Sequence, residues 1–286
     1  MADAVAAPMH KECPMKNQKK HTQEPIDINY RLELGEFTDI ARRIEHNNMV
    51  LVRKHCSDSV TLIERALNLL YRITSHYAWL LHASHIAKMN EASKGIFAAI
   101  HKNQVALYSS LRLTQRGLHG PARAILRHVF EAQIIAKYCA VSDDRDLYTR
   151  WRTGEEVRFS PGILKKIKKP SVDAFRTFWG DMSSFVHATV YAQQVTINIR
   201  NSPEDIDVNF VFLKTLLNCQ AHLLTAHLIT PSMHYYAKRY SGAGAVPALK
   251  KELRYLLSET KMQVSPLPRK IIRNYCATWE IAPQGR

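Results

Sequence analysis

Paired cysteine chemistry is the first thing this 286-residue chain lacks. Its five cysteines, Cys13, Cys56, Cys139, Cys219 and Cys276, are an odd number with no CxxC pair. That argues against a disulfide framework or a zinc ribbon and for a reducing, cytoplasmic compartment. No apolar run reaches the roughly 18 residues of a membrane span, so no membrane partner is expected. The opening MADAVAAPMHKECPMK lacks a basic start followed by an apolar core, so no secretory signal is expected. Neither GxGxxG nor GxxxxGK[ST] occurs, which removes the usual nucleotide-binding turns. HExxH and GxSxG are missing too. His82-x-x-His85 has helical spacing but no further ligand, so neither a metal nor another cofactor is expected. His222 and His227 are five apart, which on a regular α-helix separates their faces.

Acidic residues are scarce as well. Twenty-five Asp and Glu stand against forty Lys and Arg, a formal net charge of +15. Residues 1–30 are balanced, with four lysines against four acids, so the excess lies in the remainder. Residues 145–170 hold eight bases against three acids, and residues 238–286 hold ten against three. Such a field attracts polyanions and responds to salt. RNA or another polyanion is therefore an expected partner, alongside a partner protein or a second copy in a homodimer.

What is present in quantity is helical periodicity. Residues 1–30 read as a disordered tail. Helices are expected over 35–53, from Ser57 towards Met89, over 94–115 and from Gly120-Pro121 to Tyr138, where proline suits a first turn. A short helix starts at Ser142-Asp143-Asp144. A connector over 155–170 carries the basic run Lys165, Lys166, Lys168 and Lys169, which is expected to bind an anion together with Arg123 and Arg127. Further helices are expected over 171–194, over 205–229, near 247–259 and near 267–277. The alternating stretch 195–200 reads as a strand or an extended linker. The fold class is all-α, a bundle of six to eight helices. It divides into the tail, a bundle domain over 31–240 and a basic helical extension over 241–286.

The helix ending at Tyr138 is apolar on nearly every azimuth, which marks a central helix. At 100° per residue, Arg123, Arg127 and Glu131 share one stripe with Phe130 and Ile134. Charges among apolar neighbours must be paired or line a cleft. The helix from Ser171 has a core face of Phe175, Phe178, Trp179 and Met182. Its other face carries Arg176, Ser183, Ser184, His187 and Tyr191, types that suit a half-buried polar surface better than a solvated one. A composite pocket follows as an expectation. Arg123 and Arg127 would hold an anion, and His187 would move a proton near neutrality. Ser184 and Tyr191 would line the pocket. Glu131 is expected to bond Arg127 or another arginine, with Ser184 or His187 in reach. The alternative is structural: an i,i+4 pair and a satisfied core histidine.

The run ARAILRHVFEAQIIAKY with the later WGDMSSFVHATVYAQ resembles an uncharacterised bacterial helical family. That family pairs an LRxxxE helix with an SxxH helix, matched here by Arg127, Glu131, Ser184 and His187. The family is similar in outline to HEPN-type proteins, several of them metal-independent ribonucleases in phage-defence or toxin systems. The resemblance implies catalytic roles for His187, Arg127 and Glu131. The HEPN motif R-x4–6-H is met in spacing by Arg123–His128 and Arg112–His119. On a regular helix, however, His128 stands about 140° from Arg123, so that pair does not converge on one phosphate. Two functions stay open. One is a helical module that binds an anionic ligand, a nucleic acid or a partner protein. The other is a HEPN-like ribonuclease.

Overall fold

In a computed structural model the described residues are 37–83, 91–142, 144–155, 157–168, 171–184, 203–230, 245–262, 264 and 266–281. The expected tail and the alternating stretch 195–200 lie outside them. The fold is all-α, with ten α-helical segments and two π-helical turns among the described residues. The helices are α1 (Phe37–His55), α2 (Ser57–Ala83), α3 (Glu91–Gln115), α4 (His119–Val141), α5 (Arg145–Arg152), α6 (Leu164–Lys166), α7 (Ser171–Ser183), α8 (Pro203–Leu224), α9 (Ala245–Met262) and α10 (Pro266–Cys276). The π turns are Phe159–Ile163, just before α6, and Thr225–Ile229, continuing α8. Pairing of extended backbone is confined, among these residues, to an isolated antiparallel bridge between Ile167 and Ile281.

Local signals explain the element boundaries. Leu62, Ile63, Ala66, Leu70, Ile73 and Tyr77 of α2 are buried at helical spacing. At the end of α3 the chain reverses through Gly117 at φ 81°, with Leu118 N–H donating to Leu113 O at 2.9 Å. This left-handed residue after a helix favours glycine, because it has no Cβ to clash. It folds α4 back along α3. Asp144 caps α5 by accepting from Leu147 N–H at 3.0 Å.

The hub is α8 as much as α4. It packs against α2, α3, α4, α9 and α10. Phe210, Leu213, Leu216, Leu217, Leu223 and Leu224 of α8 are buried. Polar groups inside the bundle are tied across helices. Gln220 Nε2 donates to Ile100 O at 2.9 Å, and Gln220 Oε1 accepts from Gln133 Nε2 at 3.0 Å. The segment expected as a C-terminal extension packs onto the bundle. Leu253 and Leu256 of α9 and Ile271 and Tyr275 of α10 belong to the same buried cluster as α2, α4 and α8.

Candidate functional site

The stripe on α4 is divided between two neighbours. Arg127 and Glu131 face α7. Arg127 Nε donates to Glu131 Oε1 at 3.0 Å, and Trp179 Nε1 donates to the same oxygen at 2.6 Å. The guanidinium lies over the Trp179 ring, 4.7 Å from its centroid. The Arg127 and Glu131 side chains are about a fifth exposed, at 21% and 22%. This is a clamp between two helices: an ion pair and a charge-assisted hydrogen bond share one carboxylate, and a cation–π contact joins their two donors, Arg127 and Trp179. Behind it, Phe130 meets Phe159, Phe175 and Phe178 edge-on.

Arg123, expected beside Arg127, is fully buried at 0% exposure and donates through Nε to Asn209 Oδ1 of α8 at 2.6 Å. An arc of about 80° from Arg123 to Glu131 is wide enough to face two different helices. Arg123 and Arg127 therefore do not form a joint anion clasp. Ser184 follows the end of α7, and its Oγ donates to Asp181 O at 2.8 Å. His187 and Tyr191 lie outside the described residues, so of the three residues expected to be catalytic only Arg127 and Glu131 are described. The partner found at that pair is Trp179, which the wheel had assigned to the core face.

Two lysines of the basic run, Lys166 and Lys168, have carboxylate partners. Lys166 Nζ lies 3.2 Å from Asp144 Oδ2 and sits over the Tyr138 ring. Lys168 Nζ lies 3.4 Å from Glu280 Oε2, and its backbone N–H donates to Glu280 O. Lys165 is exposed, and Lys169 lies outside the described residues. Among the described residues no group of three or more His, Cys, Asp or Glu is placed to hold a metal, and no helix is long and apolar enough to cross a membrane.

A different surface has the composition of a polyanion site. Between residues 92 and 115, α3 carries no Asp or Glu. Lys94, Lys102, Val105, Tyr108 and Arg112 fall within about 120° of azimuth along roughly 27 Å of helix. Val105 is 68% exposed and Tyr108 51% exposed, while Lys94 and Lys102 are exposed and Arg112 half-buried. Exposed His128 and half-buried Ile125 of α4 extend the face. The charge of Lys102 reaches across to His128. With burial as the larger cause, it pushes that imidazole's pKa down, against a smaller upward pull from Glu131. Periodicity had singled out only the apolar side of α3. The missing acids in its outer stripe were the signal available for the other side. Comparison with protein-family models, with curated proteins and with solved structures found no match.

Proposed function

We propose that this protein is a cytoplasmic helical module that binds single-stranded nucleic acid, RNA in the first instance, on the outer face of the α3–α4 hairpin. The observation that carries the reading is the acid-free stripe in which Lys102 and Arg112 flank an exposed tyrosine. Basic grooves that follow a strand, with aromatic rings for the bases to stack on, are how sequence-tolerant single-strand binding works. A second copy of the chain is a poorer occupant, because a two-fold contact would set this stripe against itself and like charges would repel.

Binding is favoured over cleavage by the state of the arginines. Arg127 is already held by Glu131 and Trp179, and Arg123 by Asn209. The HEPN-type resemblance and the phage-defence role that it implies stay proposals on the sequence motifs alone.

Fluorescence anisotropy with a labelled single-stranded RNA tests the reading. The apparent affinity should fall with salt, and Lys102→Ala/Arg112→Ala should flatten the logarithmic salt slope by about one unit per lost charge. Tyr108→Ala should weaken binding by about 1–3 kcal/mol if one base stacks there. Equal affinity and slope for wild type and the double variant would remove the proposal.

A further inference from the structure

A second cationic feature lies on a different part of the molecule, where α9 and α10 meet the end of α8. Lys250, Arg254 and Lys261 of α9 fall within about 40° of one azimuth and span roughly 16 Å. They form one wall of a cleft of about 500 Å³. His222, Thr225 and Thr230 form the facing wall, and exposed Cys276 of α10 also lines the cleft. None of the residues lining the cleft is an Asp or Glu. Among the described residues no carboxylate forms an ion pair with any of the three cations.

The facing wall exists because of the π turn. On a regular helix a residue five positions along points about 140° away. The turn Thr225–Ile229 takes in an extra residue, and Thr230 comes back under Thr225, donating from its Oγ1 to Thr225 O at 2.5 Å. The same hydroxyl accepts from Lys250 Nζ at 3.0 Å. A lysine is thereby held at the rim by a neutral group, with no carboxylate partner among the described residues. π turns are rare and recur at functional sites. The volume falls in the range of pockets that take small organic ligands, and is large for a bare oxyanion.

We propose that this cleft binds a small phosphorylated ligand, its phosphate held by Lys250 and Arg254, one helical turn apart, and its organic part lying against His222 and the aliphatic floor, with Lys261 a further cation along the same wall. The state of Lys250 is in keeping with that. Partial burial and then the neighbouring Arg254 charge push its pKa down, and a bound dianion would relieve the second of these. The site is separate from the α3–α4 face, and neither depends on the other.

The test is isothermal titration of the full chain at ionic strength held constant with NaCl. Phenyl phosphate, pyrophosphate and inorganic phosphate are the probes. Saturable one-site binding of phenyl phosphate, tighter than inorganic phosphate, is expected. Lys250→Ala/Arg254→Ala should weaken it about tenfold or more, from the loss of two charge-assisted contacts, while Lys102→Ala/Arg112→Ala leaves it unchanged. Helix content by circular dichroism shows that the variants fold, and Arg254→Lys should recover part of the affinity lost in Arg254→Ala. Alkylation of Cys276 by iodoacetamide, identified by its loss in Cys276→Ser, should slow when phenyl phosphate is bound. Absence of saturable binding above the NaCl background overturns the proposal, and so does equal affinity in the Lys250/Arg254 variant. Inorganic phosphate binding as tightly as phenyl phosphate would overturn the organic part and reduce the site to an oxyanion site.

Discussion

Lys137 has the least expected environment of any charge in the chain. It is 1% exposed, on a helix whose neighbours are apolar. Its Nζ donates to Tyr275 O and, at 2.8 Å, to Ala277 O, and it faces the rings of Tyr275 and Trp279 at 5.0 and 4.4 Å. Those carbonyls end α10, so this lysine fastens the C-terminal helix to the centre of the bundle. Lys137→Ala leaves buried acceptors without a donor and opens a cavity, and should cost about 2–4 kcal/mol in chemical denaturation. Burial pulls its pKa down to about 8, from an ordinary value of 10.5. A lysine whose folded pKa is depressed binds fewer protons folded than unfolded across that interval. Its contribution therefore improves as pH rises from 8 towards 10.5. The stability gap between wild type and Lys137→Ala should widen over that range. A gap that stays constant or narrows would mean that the amine is not strained by its burial.

Elements whose character is set by local periodicity were legible in the sequence. The apolar spacing in α2, the Asp144 cap and the all-apolar surround of α4 each arise from neighbours a few positions away. What was not legible depends on tertiary contact. The division of the Arg123–Glu131 stripe is decided by which helices lie on either side, and no wheel of α4 contains that. The π turn after α8 is a second case. Regular spacing separates His222 from His227, yet the extra residue brings their rings to 5.6 Å, edge to face. Burial first, and then the charge of Lys137, pushes both imidazoles down to about 4, with His227 adding to the effect on His222. Tyr275 stacks edge-on against His222 from α10. Both histidines are thus kept neutral in the fold while the unfolded chain protonates near 6.5. The stability they allow is complete above pH 6.5 and is lost as pH falls towards 4. His222→Gln/His227→Gln should lose less of its thermal stability than wild type over that interval, each 1 kcal/mol appearing as roughly 2–4 °C in Tm. Parallel curves would show that carboxylates alone set the acid limb.

At the scale of the whole molecule, the net charge of +15 acts on folding and on binding with opposite signs. Six of the forty Lys and Arg lie on two faces, the α3 stripe with Lys94, Lys102 and Arg112 and the α9 wall with Lys250, Arg254 and Lys261. The exposed ion pairs, such as Lys168–Glu280 and Arg42–Asp39, are of the kind that contributes about 0–1 kcal/mol each. Screening them loses little, whereas screening the like charges around them relieves self-repulsion of the compact state. Raising NaCl from about 20 to 300 mM shortens the Debye length from over 20 Å to under 10 Å, less than the roughly 12 Å rise along the helix from Lys94 to Lys102. Tm should therefore rise with salt over the same interval in which RNA affinity falls. Lys102→Ala/Arg112→Ala should weaken both responses together, because the same two charges drive the attraction and the repulsion. A Tm that falls with added NaCl would mean that ion pairs outweigh repulsion and that the basic faces are compensated in solution. In that case the salt dependence of RNA binding would have to be small as well.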